Sequence, residues 1–118
     1  MRGTLNVKRK FDSAHFLPKY KGACAGMHGH TWKVEVRVSG EIGPVSGMII
    51  DFKDLKSFID IILPDHTNLN ESVMENPTAE NLVVWLWGSL LPGIEARDLA
   101  LVNVTLWESD DCSVTYSE

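Results

Sequence analysis

Cysteine is scarce in this 118-residue chain, which carries Cys24 and Cys112 and no others. Two thiols cannot form the disulfide framework of a small secreted domain, so a reducing cytoplasm is the expected setting. Long apolar runs are missing too. No stretch approaches the roughly 20 residues of a membrane-spanning helix, and the first twenty residues lack the apolar block of a signal peptide. Basic residues do not predominate: 11 Lys and Arg stand against 16 Asp and Glu, a formal charge of −5. That balance disfavours nucleic-acid binding, which needs a basic footprint. Linkers, repeats and low-complexity tracts are absent as well, so residues 1–118 read as one domain. A chain of this length buries about two thirds of the surface it exposes when unfolded. With 44% hydrophobic and 23% charged residues, it has the composition of an ordinary globule.

The charge is unevenly spread. Residues 1–40 hold eight basic and two acidic side chains, a net +6, which leaves −11 for residues 41–118. The ordinary reading is solvated faces that pair when the two halves pack. The sharper one is a local basic rim that attracts an anionic small molecule.

Leu5, Val7 and Phe11 alternate with Thr4, Asn6, Lys8 and Lys10 as in a half-buried strand, although Arg9 interrupts the apolar row. Trp32, Val34, Val36 and Val38 form a cleaner row, opposed by Thr31, Lys33, Glu35, Arg37 and Ser39. Residues 40–47 read as a turn from their glycines and proline. Phe52, Leu55, Ile59 and Ile62 then take helical spacing, with Asp51 as N-cap and Pro64 as the stop. After a polar loop over residues 65–77, Thr78 caps a second helix and Glu80 adds negative charge to its first turn. The helix is predicted to run to about Leu91 and to end at Pro92-Gly93. Its segment Leu82–Trp87 is apolar nearly all round, which calls for deep burial or a neighbouring subunit. In residues 99–108, Ala100, Val102, Val104 and Leu106 are expected on one face, with Asn103, Thr105 and Trp107 on the other. A short strand over residues 112–116 closes the chain, with Cys112 read as a packed small side chain. Strands at both ends around a helix pair predict an α+β fold, with a four-stranded antiparallel sheet and two helices on one face.

The chemistry centres on Cys24-Ala25-Gly26-Met27-His28-Gly29-His30. His28 and His30 extend the even-numbered row of Trp32 and Val34, while His15 extends the odd-numbered row of Leu5, Val7 and Phe11. A hairpin would bring His15 onto the face of His28 and His30. Three neutral imidazoles suit Zn²⁺ and leave a fourth tetrahedral position open. Two other readings stand beside this one: three unrelated histidines, or a structural site in which Cys24 is the fourth ligand. Glu108 continues the row of Val102, Val104 and Leu106. It is either a wetted strand end or a buried carboxylate that accepts from adjacent N–H donors of a flat heterocycle. Asp65-His66 is either a local turn or a proton-transfer pair. Near three imidazoles and a dication, the thiol of Cys24 would be biased toward thiolate.

Together these segments resemble the 6-pyruvoyltetrahydropterin synthase family. The resemblance rests on Phe11-Asp12-Ser13-Ala14-His15-Phe16-Leu17, Cys24-x-x-x-His28-Gly29-His30 and Gly47-Met48-Ile49-Ile50-Asp51-Phe52. It also rests on Asp65-His66-x-x-Leu69-Asn70, Pro77-Thr78-Ala79-Glu80-Asn81 and Trp107-Glu108. The segments fall in the family's order, and the short gap between Cys24 and His28 resembles the 6-carboxytetrahydropterin synthase branch. The resemblance implies the tunnelling fold, a ββααββ protomer that assembles into barrel-like oligomers, often hexamers, with sites between subunits. It implies a zinc-dependent lyase that converts 7,8-dihydroneopterin triphosphate to 6-carboxy-5,6,7,8-tetrahydropterin, acetaldehyde and triphosphate, toward queuosine and other 7-deazaguanines. Within the enzyme class, relatives yielding a 6-pyruvoyl or 6-hydroxymethyl product are the alternatives. Carried over by position, His15, His28 and His30 would bind Zn²⁺, and Cys24, Asp65 and His66 would move protons. Glu108 would anchor the pterin, with Thr78 and Glu80 lining the same recess. Lys19, Lys21 and Lys53 are candidates for the triphosphate.

Overall fold

The computed structural model describes residues 1–118, the side chain of Cys24 excepted. Its spine is a long hairpin. Strand β1 (Arg2–His15) runs antiparallel to β2 (His28–Glu41), in register from Arg2↔Glu41 to His15↔His28. The odd row of β1 and the even row of β2 share one face, where Val7, Phe11, Trp32, Val34, Val36 and Val38 are buried. Arg9 fits the same row because Asp60 on the covering helix receives its guanidinium through paired contacts of 2.8 and 2.7 Å. Strand β2 continues through Gly40 and Glu41, which the sequence assigns to a turn. Gly40 carries no Cβ, and one would lie 2.6 Å from Leu99, so packing there favours glycine within the strand.

Helix α1 (Phe52–Ile62) starts as expected, with the Asp51 carboxylate accepting from the Lys53 amide at 2.8 Å. Leu55 and Ile59 enter the core. Leu63, held extended ahead of Pro64, ends the helix. The following loop is less irregular than its polarity predicts. Thr67–Asn68 form β3, paired parallel to Ser13–Ala14 of β1, and Leu69–Ser72 form the short helix α2. The sheet therefore has five strands, in the order β3-β1-β2-β4-β5, and is open within one chain rather than closed into a barrel.

Helix α3 (Ala79–Ala96) runs straight through Pro92-Gly93, where the sequence predicts its end. Tertiary packing overrides the breakers. Leu90 and Ile94 are fully buried on either side of Pro92, and Gly93 lies flush against the Phe58 ring of α1. The helix stops at a Schellman turn instead: Asp98 has φ +61, its amide bonds to Glu95 O at 3.0 Å, and the Leu99 amide bonds to Ile94 O at 3.2 Å.

Strands β4 (Ala100–Trp107) and β5 (Ser113–Tyr116) complete the sheet. The expected inward row of β4 holds for Val104 and Leu106 but not for Ala100 and Val102. A bulge opposite Arg37 and Val38 shifts the register, so Leu101 is buried and Val102 faces out. Among the described residues, no helix is long and apolar enough to cross a membrane.

Candidate functional site

The last residue of β1 and the first of β2 are both histidines, and the hairpin register sets them opposite each other. His30 lies one inward step along β2, paired with Ser13. The ligand nitrogens of His15, His28 and His30 lie within 4.8 Å of one another, as the alternation predicts. Backbone carbonyls fix two tautomers. Nδ1 of His15 donates to Pro77 O at 2.7 Å, and Nδ1 of His28 donates to Gly26 O at 2.6 Å. Because a carbonyl only accepts, each ring carries a proton on Nδ1, and in its neutral form Nε2 is the free ligand atom.

Those two Nε2 atoms face each other at 3.0 Å. At that separation the two atoms share either a proton or a metal ion between them. Nε2 of His30 is buried and has no hydrogen-bond partner among the described residues. Burial pushes the His30 pKa below the ordinary imidazole value of 6.5, the neighbouring His15 and His28 push the same way, and Glu108 opposes them. The ring is thus held in the neutral form that binds metals. Trp32 walls the cluster, its ring centroid 5.2 Å from those of His15 and His30. Converging nitrogens, fixed tautomers and an orphaned buried donor fit a divalent metal of borderline softness.

Glu108 follows β4 and turns the chain toward β5, its amide donating to Cys112 O at 3.1 Å. Its Oε1 lies 3.8 Å from His30 Nε2. Ala79, Glu80, Glu108, Cys112, Ser113 and Val114 line a recess of about 240 Å³. Glu80 and Glu108 thus meet as expected. Thr78 is not among the lining residues; its hydroxyl oxygen accepts from the Asn81 amide at 3.0 Å as the N-cap of α3. Cys112, expected to be packed, is exposed at the wall of the recess. It precedes β5 in a turn, beyond the alternation that would have buried it. Lys19, Lys21 and Lys53 are exposed and do not line the recess.

Asp65 and His66 form a second cluster, with Asp12, apart from the three histidines. Nδ1 of His66 lies 2.9 Å from Asp65 Oδ2, and the other carboxylate oxygen accepts from the Asp12 amide at 2.8 Å. The Asp12 amide is the largest cause that holds the Asp65 pKa below its ordinary 3.8; desolvation opposes it, and His66 adds to the lowering. Alternation puts Asp12, Ala14, Gly29 and Thr31 on the sheet face opposite the histidine rows; with Ser13, His30, His66 and Thr67 they line an open depression of about 450 Å³. Within one chain, His30 and His66 border the same depression, but the ligand atoms of Asp65 and His66 group with Asp12 and not with the three histidines. Cys24 lies in the turn Ala23–Ala25 before β2, and its expected role concerns a side chain outside the described residues. Sequence reasoning missed Asp12, Ser13, Thr31 and Thr67. The available signal was Ser13, a polar residue on the inward row between Phe11 and His15.

Comparison with known proteins decides the relationship. The sequence pattern described as 6-pyruvoyl tetrahydropterin synthase matches residues 4–118. The chain belongs to the 6-pyruvoyl tetrahydropterin synthase family. It is 35% identical to the dihydroneopterin monophosphate aldolase of Pyrococcus furiosus, over 97% of this chain and 96% of that protein. It is 34% identical to the 6-carboxy-5,6,7,8-tetrahydropterin synthase of Synechocystis, over 75% of this chain and 78% of the relative. The solved structure of the Caenorhabditis elegans 6-pyruvoyl tetrahydropterin synthase superposes with a TM-score of 0.87 at 27% identity, covering all of this chain and 96% of that one.

Proposed function

We propose that the protein is a zinc-dependent lyase that converts 7,8-dihydroneopterin triphosphate and water to 6-carboxy-5,6,7,8-tetrahydropterin, acetaldehyde and triphosphate. The observation that carries the reading is the unpartnered Nε2 of His30, which shares its surroundings with the Glu108 carboxylate of the recess. His15, His28 and His30 would hold Zn²⁺ through Nε2. Bound there, Zn²⁺ supplies Lewis acidity to oxygen atoms of a substrate side chain and acidifies the adjacent C–H bonds.

The other roles belong to the chain's own side chains. Glu108 accepts from the amide-and-amino edge of the pterin ring, a bidentate pairing that fixes the ring and points its side chain toward the histidines. Glu80, at the first turn of α3, lines the same recess and excludes water from one edge of the ring. Thr78 holds the start of α3 and with it the placement of Glu80. The Cys24 thiolate takes a proton from the side-chain carbon, and His66, oriented by Asp65, returns one. Because Asp65 and His66 lie apart from the triad of their own chain, a complete site calls for a second copy. This supports a homo-oligomer, with a hexamer as the favoured form.

The test is incubation of zinc-loaded protein with 7,8-dihydroneopterin triphosphate and mass spectrometry of the products. Acetaldehyde with carboxylated tetrahydropterin is the expected result. The similarity to a dihydroneopterin monophosphate aldolase favours one second reading, side-chain cleavage to a 6-hydroxymethyl pterin. That product, or a 6-pyruvoyl one, would replace the first reading, and no turnover of any pterin would overturn both. A non-catalytic zinc module with Cys24 as fourth ligand is separated by cobalt substitution, in which an intense thiolate-to-metal band marks the module.

A further inference from the structure

The side chain of His66 is largely exposed, and Asp65 is the ion-pair partner it meets within the chain. Its position is therefore set by the backbone beneath it. That backbone is a turn with His66 at φ +55, a left-handed conformation that a non-glycine residue keeps only when its surroundings impose it. Strand β1 supplies two of the restraints: the Asp12 amide donates to Asp65 Oδ1, and Asp12 O accepts from the His66 amide at 2.6 Å.

The third restraint lies deeper. Pro64 is buried just ahead of the pair, and its carbonyl oxygen accepts hydrogen bonds from two hydroxyls. One comes from Ser13, buried on the inward row of β1, and the other from Thr67 of β3 at 2.8 Å. Each hydroxyl has a single hydrogen and the carbonyl has two lone pairs, so the two donors saturate that oxygen. The hydroxyl oxygens lie 3.3 Å apart, as neighbours on one acceptor. Trp32 steadies the Ser13 backbone, with Nε1 donating to Ser13 O at 3.4 Å. Without these hydroxyls, a buried carbonyl would lack partners, and rotation of the peptide toward water would relieve it. That rotation swings the turn that carries Asp65 and His66.

We infer that Ser13 and Thr67 are positioning residues for the Asp65–His66 pair, acting through the Pro64 carbonyl. The inference rests on the role given to His66 above. Its test combines Ser13→Ala, Thr67→Val, the double variant and the conservative Ser13→Thr, read by amide hydrogen exchange, zinc content, kcat and KM. Each single loss is expected to speed exchange at the His66 amide about 10-fold and the double loss about 100-fold, with the Val7 and Val36 amides unchanged. In parallel, kcat falls about 10-fold and about 100-fold while KM stays within about twofold and zinc content is unaltered. Ser13→Thr restores both readouts. Unchanged exchange at His66 in the double variant overturns the inference, as does faster exchange with kcat intact when His66→Gln is itself inactive. Faster exchange throughout the hairpin also overturns it, because the hydroxyls would then be merely structural. Should Ser13→Ala fail to fold, Thr67→Val carries the same comparison. His66→Gln keeps the two readings apart: full turnover there removes the catalytic role of His66, while the exchange data still decide whether the hydroxyls hold the turn.

Discussion

Oε1 of Glu108 stands 3.8 Å from Nε2 of His30, too far for a hydrogen bond and close enough that both face the same small volume. A ligand that fills the recess against Glu108 reaches the triple-histidine centre within a few bond lengths. In the proposed function, recess and histidine cluster are the two ends of one binding site.

Glu108→Gln keeps the shape of that carboxylate and removes its charge. Pterin binding, measured by calorimetry with a non-reacting pterin, should weaken by about 1.5–3 kcal/mol, while zinc content stays unchanged. Equal binding by the variant would remove Glu108 from the ring-anchoring role.

Replacing any one of His15, His28 or His30 by Ala should lower bound zinc from about one per chain to below about a tenth, by elemental analysis. Chelation of the unaltered protein should lower its stability by about 3 kcal/mol relative to free zinc held about 100-fold above the dissociation constant. An unshifted melting curve would argue against a metal bound by the folded state.

Cys24→Ala should retain zinc and pterin binding yet turn over at least about 100-fold more slowly, the usual weight of a proton-transfer group. Full activity would exclude the thiol as the proton acceptor.

Acidification tests the Asp65 anchor. Its folded-state pKa lies below the ordinary 3.8, chiefly through the Asp12 amide. The stabilisation is therefore complete above that ordinary value and is lost as pH falls through the depressed one. The Asp12 amide resonance should titrate with a midpoint below 3.8, and Asp65→Asn should abolish the transition.

Gly93→Ala should destabilise the protein even though alanine is the better helix former. A Cβ there would lie 2.3 Å from the Phe58 ring. Overpacking of that kind costs about 1–3 kcal/mol, readable by urea unfolding, and Phe58→Leu in the same chain should recover part of it.

Features with a local physical cause were legible in the sequence. The two-residue period of β1 and β2 placed three histidines on one face, and the caps at Asp51 and Thr78 formed where a short polar side chain precedes an apolar helical pattern. What escaped notice depends on partners distant in sequence. Pro92 stays inside α3 because Leu90, Gly93 and Ile94 have packing places, and β3 exists because Ser13 and Ala14 offer an edge. Cys112 went astray because its turn, rather than its strand, sets its exposure. The ligand atoms of Asp65 and His66 group away from the histidine triad because their loop is held to the Asp12 backbone at the edge of β1, which the linear order of motifs does not display.

The bulge in β4 bears on how the two ends of that strand vary. Upstream of it, Leu101 keeps step with Val38; downstream, Leu106 keeps step with Val34. The phase of Glu108 against His30 is therefore set by the downstream pairing alone. A one-residue length change near Val102 can be absorbed where the ladder is already out of step, without turning Glu108 away from the histidines. The strand behaves as two independently tuned halves, a structural tail that follows α3 and a head that meets the three histidines.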